Sequence, residues 1–204
     1  MIAIIDYRAG NLRSVERACR HLNLDCRITS SPQEIRDAER VIFPGVGAAG
    51  KAMETIISLR LDDVIREVAD RGTPFLGICL GTQIILDQSR EDDARCLGII
   101  PGMVERFPAT MGVKIPHMGW NTIEKRIDHP LLAGLDPRSQ FYFVHSYYPK
   151  PLREDDAVAY TFYGIRFASM IARDNVAAVQ FHPEKSGRPG LDLIKNFSRW
   201  DGRA

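Results

Sequence analysis

The first half of the chain alternates short apolar segments with segments that have helical spacing. Ile2 to Asp6 is a continuous apolar run, typical of a strand that is covered on both faces. Two further strands are predicted over Cys26 to Thr29 and Arg40 to Phe43, and amphipathic helices over Asn11 to Leu22 and around Leu61 to Arg71. Strands and helices in alternation predict an α/β fold with a parallel sheet and right-handed crossovers.

The second half has a different pattern, with short strands and few helices between them. The predicted strands are Met103 to Phe107, Phe141 to Val144, Phe167 to Ala172 and Val176 to Phe181. They indicate an antiparallel or mixed extension of the sheet, and a helix over Pro189 to Trp200 is expected to close the fold. No linker or change of composition separates the halves, so we expect residues 1–204 to form a single domain.

The composition argues against several classes of partner. The net charge of +1 gives no electrostatic reason to expect nucleic acid or a membrane surface as a ligand. No apolar run approaches the length of a transmembrane helix, and the first residues resemble a strand and not a signal peptide. The four cysteines form no Cys-x-x-Cys pair, which argues against a disulfide framework or a zinc knuckle. The expected compartment is therefore the cytoplasm.

The segment Gly77-Ile78-Cys79-Leu80-Gly81 follows an apolar run and precedes a helix-like segment. This is the pattern of a nucleophile elbow, a sharp turn that lifts its central side chain off the end of a strand. The glycines leave room for close backbone packing, and the amino end of the next helix favours a thiolate. The alternative is a small cysteine buried on a core strand.

A second loop, Pro44-Gly45-Val46-Gly47, also lies where a predicted parallel strand ends. Ligands of such sheets bind beyond the carboxyl ends of the strands. The amide of Val46 or Gly47, together with that of Leu80, is a candidate to hold the oxygen of a tetrahedral intermediate. A turn that merely ends the strand explains Pro-Gly equally well.

A histidine and a carboxylate stand two residues apart in Gln180-Phe181-His182-Pro183-Glu184. In extended backbone the side chains of His182 and Glu184 point the same way, so the carboxylate can orient the imidazole toward Cys79. A core histidine and a solvated glutamate are the alternative. No metal site is expected, because the other histidines offer no partner with suitable spacing.

Together the Gly77-x-Cys79-x-Gly81-x-Gln83 and Gln180-x-His182-x-Glu184 motifs resemble those of the class I glutamine amidotransferases. The resemblance implies a flavodoxin-like sheet with helices on both faces, a Cys79-His182-Glu184 triad that hydrolyses glutamine, and no cofactor. Five segments together resemble the branch of this family that supplies ammonia for histidine biosynthesis: residues 6–12, 44–47, 116–121, 141–147 and 182–186. That branch forms a heterodimer with a cyclase subunit of the (β/α)₈-barrel type.

The resemblance also assigns roles outside the triad. The oxyanion would be held by the amides of Val46, Gly47 and Leu80. The glutamine pocket would be lined by Gln83, Glu91, His145, Ser146 and Tyr147. The partner would be contacted by Asn11, Trp120 and Tyr142. Three residues depart from the usual pattern of the branch, where glycine, phenylalanine and methionine are common: Arg8, Ala49 and Thr82.

Three other functions stay open at this point. A glutaminase that serves another synthase would share every motif and would differ in its partner. A stand-alone thiol hydrolase would be active without a partner, and its pocket would admit substrates larger than free glutamine. A binding module without activity would carry a Cys79 that does not react with a glutamine-like alkylating agent.

Overall fold

A central eight-stranded sheet organises the computed structural model, which describes residues 1–8 and 10–203. With strands numbered along the chain, the order across the sheet is β2 (Cys26–Thr29), β1 (Ile2–Ile5), β3 (Arg40–Gly45), β4 (Phe75–Cys79), β14 (Val176–Val179), β13 (Ile165–Arg173), β12 (Ala157–Tyr163) and β9 (Glu124–Lys125). The five strands from β2 to β14 are parallel, and β13, β12 and β9 continue the sheet antiparallel. The order of the parallel strands is that of the flavodoxin-like sheets, so the predicted fold class is confirmed.

Six α-helices are present in the described part of the chain: α1 (Leu12–His21), α2 (Pro32–Asp37), α3 (Ala49–Ser58), α4 (Leu61–Asp70), α5 (Leu80–Ile84) and α6 (Gly187–Arg199). They cover both faces of the sheet. Along β1 the side chains alternate: Ala3 and Ile5 pack with α2, α3 and α4, while Ile2 and Ile4 pack with α1 and α6. Each face of the sheet therefore has its own apolar core.

Two small sheets lie beside the central one. One is the antiparallel pair β8 (His117–Thr122) and β10 (Gln140–His145). The other has the order β11 (Tyr147–Pro151), β7 (Gly102–Arg106), β5 (Gln88–Ser89) and β6 (Ala94–Arg95). Within residues 1–8 and 10–203, four 3₁₀ turns complete the regular structure, at Ala109–Met111, Pro130–Leu132, Glu154–Asp156 and Pro183–Lys185.

Several boundaries differ from those predicted. Helix α6 begins at Gly187, two residues before the predicted start at Pro189. Proline is tolerated within the first turn because the amides there have no intrahelical acceptor, so no hydrogen bond is lost. The last predicted strand ends at Val179 and not at Phe181, so that Gln180 and the residues after it leave the sheet. Helix α3 was not predicted at all. The single-domain interpretation of residues 1–204 stays a prediction.

None of the helices in residues 1–8 and 10–203 combines the length and the hydrophobicity that crossing a membrane requires.

Candidate active site

Four neighbouring parallel strands place the predicted site residues just beyond their carboxyl ends. Asn11 follows β1, the loop with Val46 and Gly47 follows β3, Cys79 ends β4, and His182 follows β14. Strand β2 lies on one side of β1, and β3 and β4 lie on the other, so the strand order reverses between β1 and β3. Open α/β sheets bind their ligands at such a reversal. Residues far apart in sequence therefore meet at one rim of the sheet.

Cys79 is the turning point between β4 and α5. Its backbone has φ 54° and ψ −104°, a conformation that side chains with a Cβ rarely adopt. The turn is possible because positions 77 and 81 are glycine. A Cβ on Gly81 would overlap the Phe43 carbonyl, and one on Gly77 would lie 2.9 Å from the Ala178 Cβ. This is the geometry of a nucleophile elbow, and it distinguishes Cys79 from an ordinary core cysteine.

His182 and Glu184 form a buried pair. Glu184 Oε1 lies 2.7 Å from His182 Nδ1, and both side chains are fully enclosed. Among residues 1–8 and 10–203, neither His182 Nε2 nor Glu184 Oε2 has a hydrogen-bond partner. A buried polar nitrogen without a partner calls for an explanation, and a proton-transfer role supplies one.

The pKa of His182 reflects opposing influences. Burial, the largest of them, lowers it. The Cys79 sulfur and the Glu184 carboxylate outweigh burial and together raise the pKa to about 10. Both neighbours therefore stabilise the charged form of the imidazole.

Asn11 belongs to the same constellation. Its side-chain Nδ2 donates to Glu184 Oε1 at 2.5 Å and lies 3.4 Å from His182 Nδ1. The backbone of Asn11 is left-handed, with φ 77°, a conformation that asparagine adopts more readily than most residues. Sequence reasoning placed Asn11 only at the partner interface, and the structure shows that its amide also fixes the carboxylate that holds His182.

A cavity of about 380 Å³ opens above Cys79. All the residues predicted for the oxyanion site and the glutamine pocket line it: Val46, Gly47, Leu80, Gln83, Glu91, His145, Ser146 and Tyr147. Leu80 is the first residue of α5, so its amide has no partner within the helix. The cavity is of a size that suits a small-molecule ligand.

Glu91 is tied to the loop that follows β3. Its Oε2 accepts a 2.8 Å hydrogen bond from the amide of Ala49, the first residue of α3. Burial raises the pKa of Glu91 above its ordinary value, and the Ala49 amide partly opposes this shift. Glu91 therefore connects the wall of the cavity to the start of α3.

Trp120 and Tyr142, predicted at the interface, lie near the His182–Glu184 pair. Their rings meet edge to face, with centroids 6.0 Å apart, on the neighbouring strands β8 and β10. Trp120 is 54% exposed, and the Tyr142 carbonyl accepts a 2.9 Å hydrogen bond from the His182 amide. His182 is therefore separated from the exposed Trp120 ring by one residue, Tyr142.

The three departures from the family pattern are all accommodated. Arg8 is exposed and has φ 66°, and its amide donates to Asp6 Oδ1 at 2.8 Å. Ala49 is buried in the core, and the Thr82 hydroxyl donates to the Val179 carbonyl at 2.5 Å. Thr82 therefore links α5 to the strand that leads to His182.

Sequence reasoning missed Tyr7, whose hydroxyl is buried without a hydrogen-bond partner in the described residues. A Cβ on Gly45 would overlap this hydroxyl. Burial and the nearby Cys79 sulfur raise the pKa of Tyr7 far above its ordinary value. The available signal was its position, directly after β1 at the point where the strand order reverses.

Comparison with known proteins identifies the class. The family model "Glutamine amidotransferase class-I" matches residues 3–199, and the chain belongs to this family. Among solved structures, "Structure of PurLQS from Thermotoga maritima" superposes with a TM-score of 0.77 over 97% of each chain, at 16% identity, and therefore supports the fold alone.

The most specific similarity lies within that class. The chain is 50% identical, over 98% of its length and 96% of the relative, to the imidazole glycerol phosphate synthase subunit HisH of Nitratidesulfovibrio vulgaris (strain DP4). It is 51% identical, over 97% of its length and 93% of the relative, to the same subunit of Desulfovibrio desulfuricans. The resemblance of the sequence to one branch of the family is thus confirmed.

Proposed function

We propose that the chain is the glutaminase subunit of an imidazole glycerol phosphate synthase, which hydrolyses glutamine to glutamate and ammonia for a partner subunit. The observation that carries the proposal is the convergence of Cys79 with the buried His182–Glu184 pair beside one cavity. A thiol at a strained turn, an imidazole next to it and a carboxylate that orients the imidazole are the elements of nucleophilic amide cleavage.

In the first half of the reaction the Cys79 thiolate attacks the side-chain carbonyl carbon of glutamine. A C–S bond forms, and the amides of Leu80 and of the loop with Val46 and Gly47 hold the negative oxygen. His182 gives its Nε2 proton to the departing nitrogen, the C–N bond breaks, and ammonia leaves. Glu184 accepts the Nδ1 proton in a hydrogen bond and stabilises the imidazolium before the transfer.

In the second half His182 takes a proton from water, and the oxygen of that water attacks the thioester. The C–S bond breaks, glutamate is released, and Cys79 regains its thiolate. The Glu91 carboxylate oxygen that does not accept from the Ala49 amide suits the α-ammonium group of glutamine. The polar groups of Gln83, His145, Ser146 and Tyr147 line the same cavity.

The partner we propose is a cyclase subunit of the (β/α)₈-barrel type, bound as a heterodimer over Asn11, Trp120 and Tyr142. The exposed Trp120 and Met118, 54% and 61% accessible, provide the aromatic and apolar area that such an interface uses. An interface next to the triad lets ammonia pass on without exposure to water. We place the complex in the cytoplasm, which suits four free cysteines within the described residues.

The proposal is tested by co-purifying the chain with its cyclase subunit and assaying both nitrogen sources. Cys79→Ala is expected to abolish glutamine-dependent synthesis and to leave synthesis from added ammonia intact. Cys26→Ala, a matched substitution on the half-buried β2, is expected to preserve both. An equal loss of the ammonia-dependent reaction in Cys79→Ala would make Cys79 a structural residue.

The free chain is expected to hydrolyse glutamine poorly, because the amides of the loop after β3 point correctly only when the partner and its ligand are bound. Full activity of the purified chain, unchanged when the cyclase and its nucleotide substrate are added, would contradict this coupling.

A further inference from the structure

Gln180 lies next to Cys79 but does not line the cavity, and it has no role in the reaction described above. It follows the last residue of β14, and its side chain is completely buried. Its Nε2 lies 3.8 Å from Cys79 Sγ, within the range of an N–H···S hydrogen bond. Its Oε1 lies 3.1 Å from Nε2 of Gln83, so its side-chain amide bridges the first turn of α5 and the sulfur.

A backbone carbonyl decides which end of the Gln180 amide faces the sulfur. Gln83 Nε2 lies 3.1 Å from the Tyr147 carbonyl, which can only accept, so the Gln83 atom there is the nitrogen. The same nitrogen donates its second N–H to Gln180, whose receiving atom must be the oxygen. The nitrogen of Gln180 is then the atom that faces Cys79.

The Tyr147 carbonyl is itself fixed by a second donor. His145 Nδ1 lies 2.8 Å from it and must carry the proton, which leaves His145 Nε2 to accept from His117 Nδ1 at 3.0 Å. This arrangement requires the His145 ring to be neutral. Burial lowers the pKa of His145 to about 3 and that of His117 to about 4, so both rings are neutral at neutral pH.

We infer that Gln180 is a further residue of the nucleophilic step: its side-chain amide donates a hydrogen bond to the Cys79 sulfur and stabilises the thiolate. A donor binds a charged acceptor more strongly than a neutral one, so it favours the thiolate over the thiol. Gln180 does so from behind, since it is not among the residues that line the cavity, and the open side of the sulfur stays free for substrate. The inference rests on the proposed function only for the role of Cys79 as nucleophile.

The test measures alkylation of Cys79 by iodoacetamide in the purified full-length chain, followed by mass spectrometry of the Cys79 peptide. It needs neither glutamine nor a partner, so its result is independent of whether the chain proves to be a glutaminase. Gln180→Met is similar in length to glutamine but lacks the donor, and the Tyr147 carbonyl still satisfies Gln83. We expect alkylation at neutral pH to slow about tenfold or more, and its pH profile to move upward by about one unit.

Asn175 supplies the control for a lost buried amide. It lies just before β14, at the end away from the site, and donates to the carbonyls of Ala69 and Thr73. Asn175→Leu is expected to lower the melting temperature without slowing the alkylation of Cys79. Alkylation of a folded Gln180→Met at the rate of the unsubstituted chain would overturn the inference.

A measurement on the unsubstituted chain covers the case in which Gln180→Met does not fold. The side-chain ¹⁵N resonance of Gln180 is expected to shift over the same pH range as the alkylation profile of Cys79. In Cys79→Ala this pH-dependent shift should be absent. A Gln180 resonance that keeps the same pH dependence in both chains would overturn the inference.

Discussion

The strained backbone at Cys79 predicts that glycine at this position makes the protein more stable than alanine does. With φ 54° and ψ −104°, Cys79 occupies a region that costs on the order of 1–3 kcal/mol for a residue with a Cβ. Alanine keeps the Cβ and the strain, while glycine relieves it. Against this, glycine has more freedom in the unfolded chain, which costs about 0.4–1 kcal/mol. Cys79→Gly should therefore exceed Cys79→Ala in stability by about 1 kcal/mol.

The comparison is made by thermal and urea denaturation of the two variants, neither of which has a nucleophile. A difference of about 1 kcal/mol corresponds to roughly 2–4 °C in melting temperature for a chain of this size. The matched control is Cys19, which lies inside α1, where glycine should be less stable than alanine by about 1 kcal/mol. The reasoning is refuted if glycine at position 79 is the less stable substitution by the same margin as at position 19.

Three further predictions follow from the site. His145 has a folded-state pKa of about 3 against about 6.5 unfolded, so its contribution to the free energy of unfolding is complete above pH 6.5. That contribution declines as the pH falls toward 3, by about 2 kcal/mol at pH 5. His145→Gln should flatten this part of a stability–pH curve, while substituting the exposed His21 should not. Glu184→Gln removes the charge that supports the imidazolium and should lower kcat for glutamine about 10²-fold or more with little change in KM, whereas an unchanged kcat would leave the carboxylate without a role. Gly81→Ala should cost about 1–3 kcal/mol in urea unfolding because its Cβ would overlap the Phe43 carbonyl, and a neutral result would show that the elbow has room to move.

Those parts of the fold and site that are encoded over a few residues could be predicted from the sequence. The strand–turn–helix pattern around Cys79 and the two-residue spacing of His182 and Glu184 follow from local geometry. The four parallel strands of the first half were also predictable, because they alternate with helical segments. The fifth, β14, was predicted only as part of an antiparallel or mixed extension, because it follows β13 directly and not a helix.

The N-terminus of helix α3 is stabilised by a residue that is distant in sequence. Its N-cap is Ala48, which has no side chain to cap the helix, and its second residue is Gly50. The cap comes instead from Glu91, 42 positions further along the chain, which accepts from the Ala49 amide. The buried residues of α3 do recur at helical spacing, so its apolar periodicity was a signal that sequence reasoning missed: Ala49, Ala52, Met53 and Ile56. The cap by a distant carboxylate, in contrast, leaves no local signal in the sequence.

The same reason explains the missed connections within the site. Asn11 and Glu184 are 173 positions apart, and Gln83 and Gln180 are 97 apart. Only the fold brings these amides together. The sequence therefore predicts the reacting groups, while the amide groups that orient them are found only in the structure.

The most direct test of the central claim is to treat the complex with a glutamine-like alkylating agent and map the labelled peptide. The chain contains its own comparison, since burial raises the pKa of the Cys19 thiol to about 12 and that of Cys96 to about 11. We predict that the label attaches to Cys79 alone, that excess glutamine protects it, and that His182→Ala slows the labelling. Labelling of other cysteines at a similar rate, or none at Cys79 with the partner bound, would contradict the account.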